Sequence, residues 1–351
     1  MQNNRLIILI ICILTALNIN AIRNCILSPK IKTAQAVVNQ DWLSPPVMVL
    51  GSDDKLKISF DELSHDYHRF IYNIVHCEAD WTPSEELFES DFLEGFNNNP
   101  IENYQNSINT NTLYTHYQVE IPNDRCQIKM SGNYILNVID EDNDEKVLEI
   151  RFMVVEPLMK LGLEVTTNTD IDVNNRHQQI SMELNYAGIN ITNHEEQIYT
   201  VVTQNSRDDN QKINIKPNMN TGRGLKWIHN RDFIFKAGNE YHKYEVLALS
   251  HPTMGIDKIS WDGNNYQVFP FICEPRINYL YDQDANGAFY IRNSDNFEND
   301  ITSDYVVVNY MLKSPKMPGG DIYIDGNWTE SADKDNYLML YDDNDKAYKA
   351  T

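Results

Sequence analysis

The residues best spaced for metal chemistry run from Asp282 to Gly287 (DQDANG). Asp282, Asp284 and Asn286 alternate like the oxygen ligands of a calcium loop, and Gly287 stands where such a loop turns sharply. The twelfth position is Asn293, so the bidentate acid is missing and a plain Asn-Gly turn accounts for the same residues. The acids from Asp140 to Asp144 begin in the same way, but Glu145 replaces the glycine and Arg151 the closing acid, which reads as a charged hairpin tip. His65 and His68 have the spacing of a helical metal pair without a carboxylate to complete it. Asn220 to Gly224 (NTGRG) lacks the Lys-Ser/Thr ending of a phosphate loop and opens no helix, so it also reads as a hairpin tip. No Gly-x-Ser-x-Gly, His-Glu-x-x-His or dinucleotide fingerprint occurs, and the nine histidines are scattered. The expectation is a protein that binds rather than catalyses, without a cofactor.

A binding role directs attention to the stretch Tyr72–Asn123, in which two alternating β-type runs bracket about thirty aromatic-rich residues, too long for a turn. Thr82-Pro83-Ser84-Glu85 has the form of a capping box with proline at the first helical position, and Phe88, Phe92 and Phe96 follow at four-residue spacing. The spacing predicts one helix with one aromatic stripe, ended by Gly95 and Asn97–Pro100. Such a stripe either docks onto its own scaffold or faces a partner. Trp81, Phe88, Phe92, Phe96 and Tyr104 are the candidate partner-binding residues.

The rest of the chain supplies the scaffold. Arg5, the apolar run Leu6–Leu17 and Ala21 form a secretory leader over 1–21, and no later run is long enough for a membrane span. The mature chain is therefore expected to be an exported soluble protein. A net charge of −22 argues against nucleic acid and anionic membranes as partners and suits a basic one. Beyond the leader, Cys25, Cys77, Cys126 and Cys273 allow three complete disulfide pairings, with buried thiols as the alternative.

Short alternating runs separated by Asn, Gly and Asp clusters predict an all-β protein of tandem immunoglobulin-like sandwich modules, with a short helix in a long loop of the first. A first module is expected over 30–157, a second over 158–273, and a linker with an incomplete third module over 274–351. Within the first, Trp42–Phe60 reads as two strands about the Gly51–Asp54 turn, and Asp61–His68 as a polar connection. Within the second, the expected strands include Gln197–Gln204 and Tyr241–Ala248. In the third, Ile322–Trp328 and Met339–Tyr341 look like the start of a glycan-binding sandwich in which Trp328 and Tyr341 stack on sugar rings, which makes carbohydrate or general envelope binding the alternative function.

Several segments together carry a more specific signal: YNIVHCEADWTPSEELFESDFLEGF from Tyr72, YTHYQVEIPN from Tyr114, SGNYILNV from Ser131, RFMVVEP from Arg151 and FKAGNEYHKYEV from Phe235. Across nearly all the mature chain the sequence resembles the type IX secretion system plug proteins, an exported family of Bacteroidetes-type bacteria. The pairing of His76-Cys77-x-Ala-Asp-Trp81 with Tyr114-Thr-His-Tyr117 is its most specific mark. The resemblance implies a periplasmic, non-enzymatic protein that closes the periplasmic mouth of a large outer-membrane β-barrel translocon. It brings no catalytic or ligand motif.

Overall fold

A computed structural model describes residues 24–186, 188–205, 207, 210–238, 240–276, 281, 283–330 and 334–351; the leader read over 1–21 lies outside them. The protein is all-β, and among the described residues no helix is long and apolar enough to cross a membrane.

Alternating side chains build the first sandwich. One sheet has the order β1 (Cys25–Ile26), β12 (Glu145–Val155), β11 (Gly132–Asp140), β5 (Phe70–Cys77) and β7 (Asn99–Pro100), with β3 (Val47–Val49) parallel to β12. The other runs β2 (Ile31–Val38), β4 (Leu56–Glu62), β9 (Thr115–Ile121) and β8 (Asn103–Asn106). On β5, Phe70, Tyr72 and Ile74 point inward while Ile71, Asn73 and Val75 are only half-buried, which is the period-two pattern of a strand with one core face. They meet Tyr134, Leu136 and Phe152 within their own sheet and Leu56, Ile58, Phe60 and Tyr117 from the other. Phe60 and Tyr117 stack at 5.3 Å, with Phe70 edge-on to Tyr117 at 5.0 Å.

The two strands expected about the Gly51 turn form as β3 and β4 but enter different sheets: β3 joins β12, whereas β4 pairs with β2 and β9. β2 lies ahead of the strands expected from the sequence, and a register shift between Lys32 and Gln35 breaks its alternation. Asp61 and Glu62 belong to β4 and are buried, so the polar connection starts after them.

The next sheet runs β13 (Lys160–Thr166), β14 (His177–Asn185), β18 (Gly224–Trp227) and β17 (Met219–Asn220), with β19 (Ile234–Lys236) also on β14. Its core gathers Ile180, Met182, Leu184, Leu225, Phe233 and Trp227, whose Nε1 donates to the Ile215 carbonyl at 2.6 Å. The strand expected over Gln197–Gln204 shrinks to β15 (Val201–Thr203), paired with β16 (Gln211–Ile213), behind a one-turn helix His194–Gln197. Tyr241–Ala248 forms no strand. Its backbone is held singly, Tyr241 N donating to Asp284 Oδ2 at 2.6 Å and Glu245 N to the Met254 carbonyl at 2.8 Å.

The hairpin of β20 (Ile256–Trp261) and β21 (Tyr266–Pro270) pairs onward with β22 (Val307–Val308). A last sheet is ordered β23 (Tyr310–Lys313), β26 (Ala347–Ala350), β25 (Leu338–Asp342) and β24 (Ile322–Tyr323).

Cys25, Cys77, Cys126 and Cys273 are all free thiols. Burial pushes the thiols of Cys77 and Cys126 up to about 11 from 9.0, and the Tyr117 phenol up to about 12 from 10.0. Each group favours the folded state while protonated, so this contribution is complete below pH 9 and is lost as pH rises through about 11 to 12. The urea midpoint, followed by circular dichroism, is expected to hold steady up to about pH 9 and then fall steadily towards pH 12.

Candidate docking surface

The aromatic loop is tied to its scaffold before it reaches the exposed residues. Ser84 N donates to the His76 carbonyl at 2.9 Å, and Pro83 bridges Cys77, so the chain doubles back along the end of β5. His76 packs edge-on against Tyr134 at 5.1 Å, and its Nδ1 lies 2.8 Å from Ser84 Oγ, which also donates to Glu78. The imidazole lies so close to Gly132 that a Cβ there would overlap its Nε2. Thr82, expected as a helix cap, instead donates its hydroxyl to Asp80 Oδ1 at 2.6 Å. Helix therefore starts late and lasts one turn, Glu89–Phe92, with Phe88 at its N-cap. The chain then becomes β6 (Leu93–Gly95), paired with β10 (Cys126–Ile128). At Gly95, φ is +104° and the Arg125 carbonyl occupies the place of a Cβ, so only glycine fits.

The single aromatic stripe is consequently split. Phe92 is buried, 7% exposed, against His76 and Tyr134 in the first core. Phe88 and Phe96 are 78% and 75% exposed. They belong to one lobe, because the Asn97 amide donates to Glu89 Oε2 at 3.0 Å and also brackets Ile74 of β5, accepting from its N–H at 2.8 Å and donating to its carbonyl at 3.0 Å. Phe96 N donates to the Arg125 carbonyl at 2.8 Å, which fixes the far side. In the chain about them, Glu85, Glu86, Glu89, Asp91 and Glu94 are exposed acids.

Trp81 and Tyr104 lie elsewhere. Trp81 has a left-handed backbone, φ 68°, and is half-buried beneath the Arg151 guanidinium, 5.3 Å above its ring. Tyr104 on β8 is packed between Tyr67 at 4.5 Å and Tyr117 at 6.0 Å, leaving 43% of it exposed. The chemistry available at the lobe is thus apolar docking by two exposed rings in an acidic stretch of chain, on a base tied to Ile74 and Arg125.

A second cluster joins β4 and β9 to the segment around Asn299–Tyr305. His116 Nδ1 donates to Asp61 Oδ1 at 2.7 Å, and Tyr305 donates to Asp61 Oδ2 at 2.6 Å while lying 2.5 Å from Thr33 Oγ1. On its other side His116 Nε2 lies 3.7 Å from Asp300, which also pairs with Lys57 at 3.2 Å. The Tyr114 hydroxyl reaches the carbonyls of Ser303 and Asp300 at 2.9 and 3.2 Å. Burial and the neighbouring Asp61 charge hold the Tyr305 phenol well above its ordinary range. Both oxygens of Asp61 are committed to neighbours, which makes this a structural tie. Sequence reasoning missed it, although its marker was present in Tyr114-Thr-His-Tyr117: two of those residues form the tie, and Tyr117 fills the core.

The remaining candidates are accounted for locally. Asp282 lies outside the described residues, and the Asp284 carboxylate accepts from Tyr241 N and from Asn286 N at 3.3 Å. Trp328 is stacked on Tyr310 at 6.0 Å with Tyr337 edge-on, and Tyr341 packs against Tyr348 with Lys316 over its ring, so both rings are half-buried among neighbours of their own module.

Residues 31–156 match the model of the Type 9 secretion system plug protein 1st domain. The crystal structure of a hypothetical protein from Parabacteroides merdae ATCC 43184 is 35% identical, superposes with a TM-score of 0.89, and covers 94% of this chain and 83% of that chain. The Pseudomonas fluorescens alkylpurine DNA glycosylase AlkC bound to DNA containing an abasic site analogue is 16% identical over 36% of this chain and 30% of that chain, and its TM-score of 0.19 carries no argument. No curated protein matches the chain. The matched residues are those of the first sandwich, its aromatic loop and its Tyr-Thr-His-Tyr strand, and by them the chain belongs to the Type 9 secretion system plug protein family.

Proposed function

We propose that this protein is a non-enzymatic periplasmic plug that binds the periplasmic side of the large outer-membrane β-barrel translocon of type IX secretion and occludes it between substrates. The family ties the chain to that secretion system. The observation that carries the docking role is the pair Phe88 and Phe96, fully presented on a lobe held at both ends by backbone hydrogen bonds. Anchors of this kind, in a polar rim, supply most of the binding energy of a reversible interface. Glu85, Glu86, Glu89, Asp91 and Glu94 call for a basic rim on the barrel.

The double variant Phe88→Asp/Phe96→Asp tests this reading. It is expected to leave the outer-membrane fraction for the soluble periplasm while keeping the native circular dichroism spectrum and melting temperature. Retention in the membrane fraction with an intact fold would remove the lobe from the interface.

A further inference from the structure

We infer that the free edge of β13 is a self-association surface, on which a second copy of this chain adds its own β13 antiparallel to form one sheet through both protomers. This inference stands apart from the translocon reading. Among the described residues, β13 has β14 as its only strand neighbour, so its outer row of backbone N–H and C=O groups is open. Its register places Leu161 opposite Leu184, Leu163 opposite Met182 and Val165 opposite Ile180. The three β14 residues are buried in the second core, but Leu161, Leu163 and Val165 are 59%, 51% and 52% exposed. The core face of the sheet thus continues one strand beyond whatever covers it.

The occupant follows from the pattern of charge. The opposite face of β13 carries Lys160, Gly162 and Glu164, and no other charge among the described residues pairs with Lys160 or Glu164. Two antiparallel copies related by a two-fold axis at Gly162 place Lys160 of each directly across from Glu164 of the other. The same register sets Leu161 against Leu163 in both directions and brings the glycines together at the centre, where no side chain obstructs approach. Directly opposed charges and apolar pairs are the stabilising units of a sheet, and an isologous two-fold interface uses each of them twice. Edge charges usually guard against such pairing; here their signs and spacing are self-complementary.

Sedimentation equilibrium on the mature chain tests the inference. A monomer–dimer equilibrium is expected, with a dissociation constant raised at least tenfold by Leu163→Lys and also by Lys160→Glu or Glu164→Lys. Circular dichroism shows whether each variant is folded; the charge variants lie on the solvent face and are expected to be native. Mixing Lys160→Glu with Glu164→Lys restores both ion pairs and should return the affinity of the unmodified chain. A chain that stays monomeric throughout overturns the proposal, as does a dimer whose affinity neither charge reversal nor mixing alters.

Discussion

Replacement of Asp61 by alanine is expected to cost about 3–5 kcal/mol of stability and to loosen the segment around Asn299–Tyr305 from the first sandwich. The carboxylate is 4% exposed and accepts from His116 and from Tyr305 at once. Its removal orphans the buried His116 Nδ1–H, at about 1–3 kcal/mol, and takes a charge-assisted bond from the Tyr305 hydroxyl, which is left with Thr33 Oγ1. Alanine also opens a void beside Tyr114, whose hydroxyl reaches across the same junction. Asp61→Asn keeps one acceptor oxygen and should lose markedly less. Urea unfolding gives the size of the loss, and hydrogen exchange in 299–305 gives its location. A loss of less than about 1 kcal/mol for the alanine variant, with unchanged exchange there, would show that the cluster is not a tie.

Phe92→Ala should be nearly as damaging, at about 3–5 kcal/mol, whereas Phe88→Ala and Phe96→Ala should each stay within about 0.5 kcal/mol. The three share a sequence spacing but not an environment. Phe92 lies between His76 and Tyr134 in the core, while its neighbours four residues away project from the lobe. Urea midpoints of the three single variants give a direct comparison. Equal losses at all three positions would restore the single packed stripe that the spacing alone suggests.

That contrast shows where the sequence is informative and where it is not. The alternation of β5 and β9 marks the strands that carry the loop, and short alternating runs between Asn, Gly and Asp clusters point to an all-β chain. The cap signature at Thr82–Glu85 is real, but other partners override it: Asp80, two residues back, takes the Thr82 hydroxyl, the His76 carbonyl takes the Ser84 N–H, and β10, more than thirty residues on, draws Leu93–Gly95 into a strand. Local propensity cannot anticipate the pairing with β10, which closes across such a distance. Asp61 is the extreme case, since its partners are 55 and 244 residues away, and in a chain this acidic one more aspartate attracts no notice. The failure at Tyr241–Ala248 is the reverse: alternation is present, but among the described residues no strand pairs with it. Phe88 and Phe96 were legible as aromatic candidates, yet only the packing of the loop distinguishes them from Phe92.

In the function proposed above, the lobe docks this protein on a secretion barrel. The most direct measurement is affinity purification of the tagged, otherwise unaltered protein from gently solubilised outer membranes of its native host, beside the Phe88→Asp/Phe96→Asp variant. A single very large β-barrel is expected to co-purify with the unaltered protein and to be absent from the variant preparation. Recovery of no such barrel, or of glycan-degrading proteins in its place, would contradict it.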